Sequence, residues 1–179
     1  PSWTTASRPA TPVAGQTGYN STVGSLETYN GSAWQQATNG PAFSAYKSVG
    51  AGNQTITTNT WTKITFDTKE FDTASCFDNA TNYRFTPNVA GYYQINLGIS
   101  LNTVSVQAQL SVFKNGSVWM YGTYPNTTSS APYWANMSTL VYCNGTTDYI
   151  EAYLYVTATS VTQSSQAAAK FQGFWVRGA

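Results

Sequence analysis

The chain has 179 residues, of which only 8% are charged, and its formal net charge is +1. A net charge this small excludes the electrostatic attraction on which most binding to nucleic acid or to anionic membranes depends. At the same time, 41% hydrophobic and 15% aromatic residues are enough for a large buried core, which excludes a disordered chain.

The chain contains no histidine, so Ser–His–Asp and Cys–His nucleophile schemes are impossible and the commonest metal ligand is missing. Seven carboxylates remain, and Asp67, Glu70 and Asp72 are close enough in sequence to be considered for a glycosidase pair. Lys69 lies among them, and together with the turn-like surroundings it favours a solvated loop instead. We therefore predict a protein that is not an enzyme and that uses no cofactor; calcium at Asp67, Asp72 or Asp78 is the less favoured alternative to a chain without a metal site.

The sequence has no run of about 18 apolar residues that would predict a transmembrane helix, and no charged leader followed by an apolar stretch. Pro1-Ser2-Trp3 is what remains when an initiator methionine is removed before proline. We therefore expect a complete small gene product that is made in a cytoplasm and does not insert into membranes. In a reducing compartment Cys76 and Cys143 are expected to be free thiols, and one bridge between them is the alternative.

Residues 1–40 differ from the rest of the chain, because they hold three of the seven prolines and several turn signals. A strand-like stretch over 25–29 is followed by Asn30-Gly31 and an aromatic residue, a pattern typical of a β-hairpin. We expect an extended arm that ends in a small hairpin and is too poor in aliphatic residues to fold alone. Such an arm needs a partner surface. Its aromatic side chains are the candidate residues for attachment to a virion: Trp3, Tyr19, Tyr29 and Trp34.

Over residues 41–179, apolar and polar residues alternate with the period of two that half-buried antiparallel strands show. The clearest strands are predicted over 92–101, 106–113 and 149–156, and Asn-Gly pairs mark turns. The only helix candidate, over 164–169, is short. About eight to ten strands with regular turns predict an all-β domain, an antiparallel sandwich or jelly roll.

Two strands carry aromatic residues on the side that faces away from the aliphatic core. Tyr149, Tyr153 and Tyr155 form a stripe along one strand, and Trp134 and Tyr142 give a similar pattern on another. One interpretation is that these rings lie under loops or decorate the surface. We prefer a subunit interface, because an aromatic face beyond one core usually covers a second apolar contact.

Short motifs occur in a fixed order along residues 41–177: Pro-Ala-Phe-Ser-Ala at 41–45, Ile-Thr-Phe-Asp at 64–67, Phe-Asp at 71–72, Tyr-Arg-Phe-Thr-Pro at 83–87, Ala-Gly-Tyr-Tyr at 90–93, Val-Phe-Lys-Asn-Gly at 112–116, Asp-Tyr-Ile-Glu-Ala at 148–152 and Phe-Gln-Gly-Phe-Trp at 171–175. The set resembles the globular head of complement-one-q, in the complement and tumour-necrosis-factor jelly-roll superfamily. Thr147 stands where that family has a glycine. The resemblance implies a jelly roll of about ten strands that assembles as a tight threefold homotrimer and carries no catalytic activity. The residues that we assign to the trimer interface are Tyr149, Tyr153, Tyr155 and Phe174.

The N-terminal arm carries a second likeness. Trp-Thr-Thr-Ala-Ser-Arg-Pro at 3–9, Gly-Gln-Thr-Gly-Tyr-Asn at 15–20 and Glu-Thr-Tyr-Asn-Gly-Ser-Ala-Trp at 27–34 resemble a segment of tailed-phage virion proteins. This likeness favours a bacteriophage particle over an animal plasma protein. The lack of a collagen-like Gly-x-y stalk points the same way.

We therefore expect a trimeric structural protein of a virion, made in the host cytoplasm: a capsid decoration or cement protein, or a short head fibre. Its partners would be its own copies and capsid or tail proteins, which it contacts through residues 1–40, and not nucleic acid. One alternative is a tail-fibre adhesin that recognises glycan on the host surface, with candidate contacts at Trp119, Tyr121, Tyr124 and Trp134. The other alternative is a secreted ligand of jelly-roll type, which the missing leader and stalk disfavour.

Overall fold

The computed structural model describes residues 1–37, 40–102, 107–122, 133–158, 160–162 and 165–178. The chain divides into two compact units, one over residues 1–39 and one over residues 40–177. Within the described ranges, helical structure consists of two short 3₁₀ turns, at Thr5–Ser7 and Val49–Ala51, and the remaining regular structure is β-strand.

The first unit is a four-stranded sheet. Its strands are β1 (Ser2–Trp3), β2 (Thr17–Asn20), β3 (Ser25–Tyr29) and β4 (Trp34–Gln36), in that order across the sheet. β1 runs parallel to β2, and the other pairs are antiparallel. The predicted hairpin is β3–β4, and the Asn30 side chain closes its turn by accepting hydrogen bonds from the backbone N–H groups of Ser32 and Ala33.

The structure differs from the expected extended arm, because β1 and β2 add to the hairpin and enclose a small polar centre. Glu27 is fully buried there and accepts hydrogen bonds from the Arg8 guanidinium, from Trp3 Nε1 at 3.2 Å and from Asn20 Nδ2 at 2.9 Å. Trp3 lies against Gly18, where a Cβ would come within 2.2 Å of the indole ring. An ion pair and two tryptophans thus replace the aliphatic core that the sequence lacks.

The second unit contains thirteen strands. They are β5 (Ala42–Lys47), β6 (Gln54–Ile56), β7 (Thr62–Lys63), β8 (Thr68–Asp72), β9 (Phe77–Asp78), β10 (Arg84–Phe85), β11 (Gly91–Asn102), β12 (Ala108–Lys114), β13 (Ser117–Tyr121), β14 (Tyr133–Cys143), β15 (Ile150–Val156), β16 (Ser160–Thr162) and β17 (Ser165–Arg177). The named strand pairs of this unit are all antiparallel.

These strands form two sheets that pack face to face. In the first sheet, β14, β11, β17, β5 and β8 follow one another, and β16 and β6 continue it at the end of β11. The second sheet has the order β13-β12-β15-β10-β9, and β7 pairs with β15. The predicted all-β sandwich is confirmed.

The core between the sheets consists of the inward positions that the alternation predicts. Along β11 these side chains are at most 3% exposed: Tyr93, Ile95, Leu97, Ile99 and Leu101. Gly173 of β17 is required at a crowded point, because a Cβ there would lie 2.7 Å from the Phe43 ring and 2.9 Å from the Ile95 side chain. Cys76 and Cys143 are buried free thiols, and burial raises the pKa of Cys143 to about 12.

Two local predictions need correction. The helix candidate over 164–169 is wrong, because residues 165–169 belong to β17, with Ala168 and Ala169 buried. The Ile-Thr-Phe-Asp motif at 64–67 resembles a strand segment of the complement-one-q head, but here it links β7 to β8 outside the named strands. Ile64 and Phe66 are nevertheless fully buried, so the motif there marks core residues.

Candidate assembly surface

The outer face of the first sheet carries exposed apolar side chains at one end. Residues of β11 and β14 that alternate with the core positions point outward here, and Gln94 pairs with Leu140 on one side and Phe174 on the other. Phe71 and Phe174 line one shallow depression, and Tyr92, Leu140 and Val176 line another. We call this group the apolar end, and its members are each 37–49% exposed: Phe71, Tyr92, Leu140, Phe174 and Val176.

The part of the same face beside the apolar end is polar and hydrogen-bonded. Gln94 Nε2 donates to Ser138 Oγ at 2.6 Å, and Ser138 Oγ donates to Asn96 Oδ1 at 2.8 Å. A second network crosses β17, β5 and β8 through four side chains: Gln172, Ser44, Glu70 and Lys170. An apolar patch flanked by ordered polar groups has the composition of a protein–protein interface.

The predicted aromatic stripe lies on the outer face of the second sheet, where other side chains partly cover it. The Tyr153 ring stacks on Phe113 with centroids 4.1 Å apart. The Tyr155 ring contacts Trp61 at 5.5 Å, and the Arg84 guanidinium carbon lies 4.2 Å from the centre of the Tyr149 ring.

All three tyrosines of the stripe are half-buried, whereas Phe174 is exposed on the other sheet. A threefold interface joins two different patches, so the stripe and Phe174 can belong to opposite halves of one contact. Their assignment to a trimer interface stays a prediction.

The sequence analysis did not select four residues of the apolar end: Phe71, Tyr92, Leu140 and Val176. The alternation of apolar and polar residues along the strands could have indicated two of them. Tyr92 and Leu140 are large apolar residues at outward positions of their strands, where polar residues predominate.

The candidate glycan residues do not form one group. Trp119 and Tyr121 lie on β13 at the edge of the second sheet, 47% and 55% exposed. Trp134 lies on β14 of the first sheet and is 51% exposed. Tyr124 falls outside the described residues.

The candidate attachment residues divide between the two faces of the four-stranded sheet. Trp3 is only 8% exposed, and its ring contacts Trp34 at 4.8 Å, while Trp34 contacts Tyr29 at 5.5 Å. Tyr19 is exposed on the other face beside its cross-strand neighbour Leu26, which the sequence analysis did not select. Trp3 therefore stabilises the unit, and the Tyr19–Leu26 pair offers the open apolar contact.

Of the three carboxylates considered for catalysis, Asp67 and Asp72 accept hydrogen bonds from backbone N–H groups, and Glu70 pairs with Lys170. Asp72 accepts hydrogen bonds from the backbone N–H groups of Cys76 and Phe77, and Asp67 accepts one from Ser48. Among the described residues, no group of three or more potential ligands is placed to hold a metal ion. No described helix has the length and apolar character needed to cross a membrane.

Comparison with known proteins identifies the fold. No protein-family model matches the sequence, and neither does any curated protein. Eiger TNF from S. frugiperda superposes with a TM-score of 0.58 at 9% identity, covering 78% of this chain and 94% of the other. The globular domain of zebrafish complement 1qA gives 0.55 at 17% identity, covering 78% and 99%. This chain contains a TNF- and complement-one-q-like jelly roll.

A third similar structure is the vertex protein P5 of PRD1. It superposes on the jelly roll with a TM-score of 0.54 at 17% identity, and the match covers 79% of this chain and 99% of the other. At these identities the matches show the fold. They do not extend to activity or partners.

Proposed function

We propose that this protein is a non-enzymatic structural component of a bacteriophage virion, a homotrimeric capsid decoration or cement protein or a short head fibre. The jelly roll forms the trimer, and residues 1–39 attach it to capsid or tail proteins. The motif order that implies a threefold assembly and the similarity of the fold to a phage vertex protein both support this proposal. The observation that carries it is the exposed apolar end.

In the proposed trimer, a second copy of the chain buries the apolar end. Monomeric proteins rarely leave contiguous apolar patches of this kind open, and here five large side chains from four strands of the first sheet are each more than one-third exposed. Hydrogen-bonded polar groups lie directly beside them, as at the rim of an interface. The trimer interface therefore centres on Phe174 and Leu140.

The attachment unit has almost no charge on its surface. Arg8 and Glu27 are the only charged side chains in residues 1–39, and they pair with each other. Docking through this unit must therefore rely on shape, on hydroxyl and amide groups and on apolar contact such as the Tyr19–Leu26 pair. We expect attachment to particles to persist from low to molar salt, unlike binding that releases counterions.

Light scattering on the purified chain tests the assembly. The unchanged protein should have the mass of a trimer, and Phe174→Asp should shift it to monomer, because a charge at the apolar end must be desolvated on association. Val49→Asp is the matched control, since Val49 is 73% exposed and lies in a turn outside both sheets. A stable monomer for the unchanged chain at micromolar concentration would overturn the assembly.

Cryo-electron microscopy of intact particles tests the location. Density for the jelly roll on the capsid surface supports a decoration protein or head fibre, whereas density only at a tail-fibre tip favours the adhesin.

Glycan recognition is the second candidate function. It is favoured by Trp134, which lies half-exposed at the rim of a hollow in the first sheet.

A further inference from the structure

The hollow is a concave site on the outer face of the first sheet, with a volume of about 490 Å³. Its floor is Gly98 in the middle of β11, which pairs with Asn136 of β14 and Lys170 of β17. Its lining around this glycine consists of the apolar residues Leu97, Met137 and Ala167 and of six polar or aromatic residues: Asn96, Trp134, Asn136, Ser138, Lys170 and Gln172.

Gly98 creates the hollow by lacking a side chain. Its backbone is not in the left-handed region, so the conformation does not require glycine. Glycine inside a strand weakens the sheet and often marks a place where a ligand approaches the backbone closely. A Cβ at this position would lie 2.9 Å from Asn136 Oδ1 and would project into the space.

The walls present a flat aromatic ring together with uncharged groups that both donate and accept hydrogen bonds. The Trp134 side chain is 51% exposed, and Asn136 and Gln172 line the hollow from the two strands on either side of β11. Lys170 Nζ lies 3.0 Å from the Glu70 carboxylate, so the one cation of the site is neutralised. The site therefore has no free charge for an anion.

Ordered neighbours hold these walls in place. Ser138 donates to Asn96, and Gln172 donates to Ser44 at 3.1 Å, so three wall residues are fixed before a ligand arrives. Preorganised groups of this kind reduce the entropy lost on binding.

We propose that this hollow binds a neutral pyranose sugar. The apolar C–H face of the sugar stacks on Trp134, and its hydroxyls exchange hydrogen bonds with the amides of Asn136 and Gln172. The volume admits one or two sugar rings. This proposal deepens the second candidate function and does not depend on the location of the protein in a particle.

The hollow adjoins the proposed trimer contact, because Asn96 and Gln172 line both the hollow and the depression at Phe71 and Phe174. Its floor at Gly98 lies farther along the face, four residues along β11 from Gln94, and this spacing corresponds to about 13 Å. A neighbouring copy centred on the apolar end can therefore leave Gly98 and Trp134 open.

Nuclear magnetic resonance titration of the full chain tests the site. The probes are the methyl glycosides of glucose, galactose, mannose and N-acetylglucosamine. At least one should shift the Trp134 indole N–H signal with a millimolar dissociation constant. Trp134→Ala, which lacks the indole and is followed through backbone amide signals of β11 and β14, should bind that sugar roughly tenfold or more weakly, the loss of about one good contact. Gly98→Val should abolish binding while the protein keeps its melting temperature and mass.

Trp119→Ala is the matched control, because Trp119 is a similarly exposed tryptophan on the other sheet. This variant should bind the sugar as tightly as the unchanged chain. The proposal is overturned if none of the four glycosides shifts the Trp134 signal, or if Trp119→Ala loses as much affinity as Trp134→Ala. If Gly98→Val instead dissociates the trimer and no glycoside binds, the hollow receives a side chain of the neighbouring copy. Since mass is measured separately by light scattering, failure of the sugar site leaves the trimer proposal standing, and the reverse also holds.

Discussion

At the scale of single residues, Glu27 determines how residues 1–37 fold. It is fully buried, and its carboxylate accepts hydrogen bonds from three different side chains. The bond from Arg8 is the main cause that lowers the pKa of Glu27 from its ordinary 4.5 to about 2; burial opposes this, and Asn20 and Trp3 assist. A charged residue thus occupies the place that an aliphatic residue has in most small sheets.

We predict that Glu27→Gln destabilises the first unit by about 1–3 kcal/mol, because Arg8 loses its charged acceptor. Amide hydrogen exchange over residues 17–29 should become faster in this variant and stay unchanged in the jelly roll. A carboxylate whose pKa is lowered on folding stabilises the folded state at pH values above its ordinary pKa. The unchanged protein should therefore lose this stabilisation as the pH falls from about 4.5 towards 2. Equal exchange rates in the variant and the unchanged protein would show that the carboxylate is not required.

At the scale of elements, the β12–β13 hairpin shows how local and distant signals combine. Asn115 and Gly116 both adopt positive φ, at 54° and 77°, as a two-residue turn requires. The Asn115 side chain also donates to Asp148 Oδ1 at 2.7 Å and accepts from the backbone N–H of Tyr149 at 2.9 Å. Burial alone would raise the pKa of Asp148, but the bonds from Asn115 and Lys114 outweigh it and lower the pKa.

We expect Asn115→Ala to cost about 2–4 kcal/mol of unfolding free energy, from the strained φ and the two lost hydrogen bonds. Asn115→Gly keeps the backbone conformation and loses only the hydrogen bonds, so it should be roughly 1 kcal/mol less damaging. Urea denaturation of both variants at one protein concentration measures the difference. Identical losses would mean that backbone strain plays no part at this turn.

At the scale of the whole molecule, the two units have separate centres. The core of the jelly roll consists entirely of residues between 43 and 171, whereas the first unit is organised around Glu27. The apolar end and the hollow both belong to the jelly roll. The features proposed for trimerisation and for sugar binding therefore belong to a different unit from those proposed for attachment.

Deletion of residues 1–39 should leave a jelly roll with an unchanged melting temperature and trimeric mass, because none of its core residues is removed. The truncated protein should no longer bind particles that lack their own copy of this protein. Circular dichroism, light scattering and co-sedimentation with such particles measure the three properties. Co-sedimentation of the truncated protein would place the attachment surface in the jelly roll instead.

Local patterns in the amino-acid sequence were enough to predict the sandwich, its inward residues and its tight turns. The alternation that places Tyr93 and Ile95 inward is a local property of the backbone, and so is the demand of a two-residue turn for Asn115-Gly116. The order of these local signals along residues 41–177 was enough to predict the jelly roll.

Only the tertiary structure decided which outward residues are covered. Tyr153 and Trp134 are both at outward positions, yet Phe113 stacks on the first while the second stands beside the empty floor at Gly98. Trp3 was expected to contact a partner, but Glu27 and Gly18 bury it within its own unit. Alternation shows on which side of a strand a residue lies. The side chains that cover that residue come from elements distant in sequence, and these elements meet only when the sheets assemble.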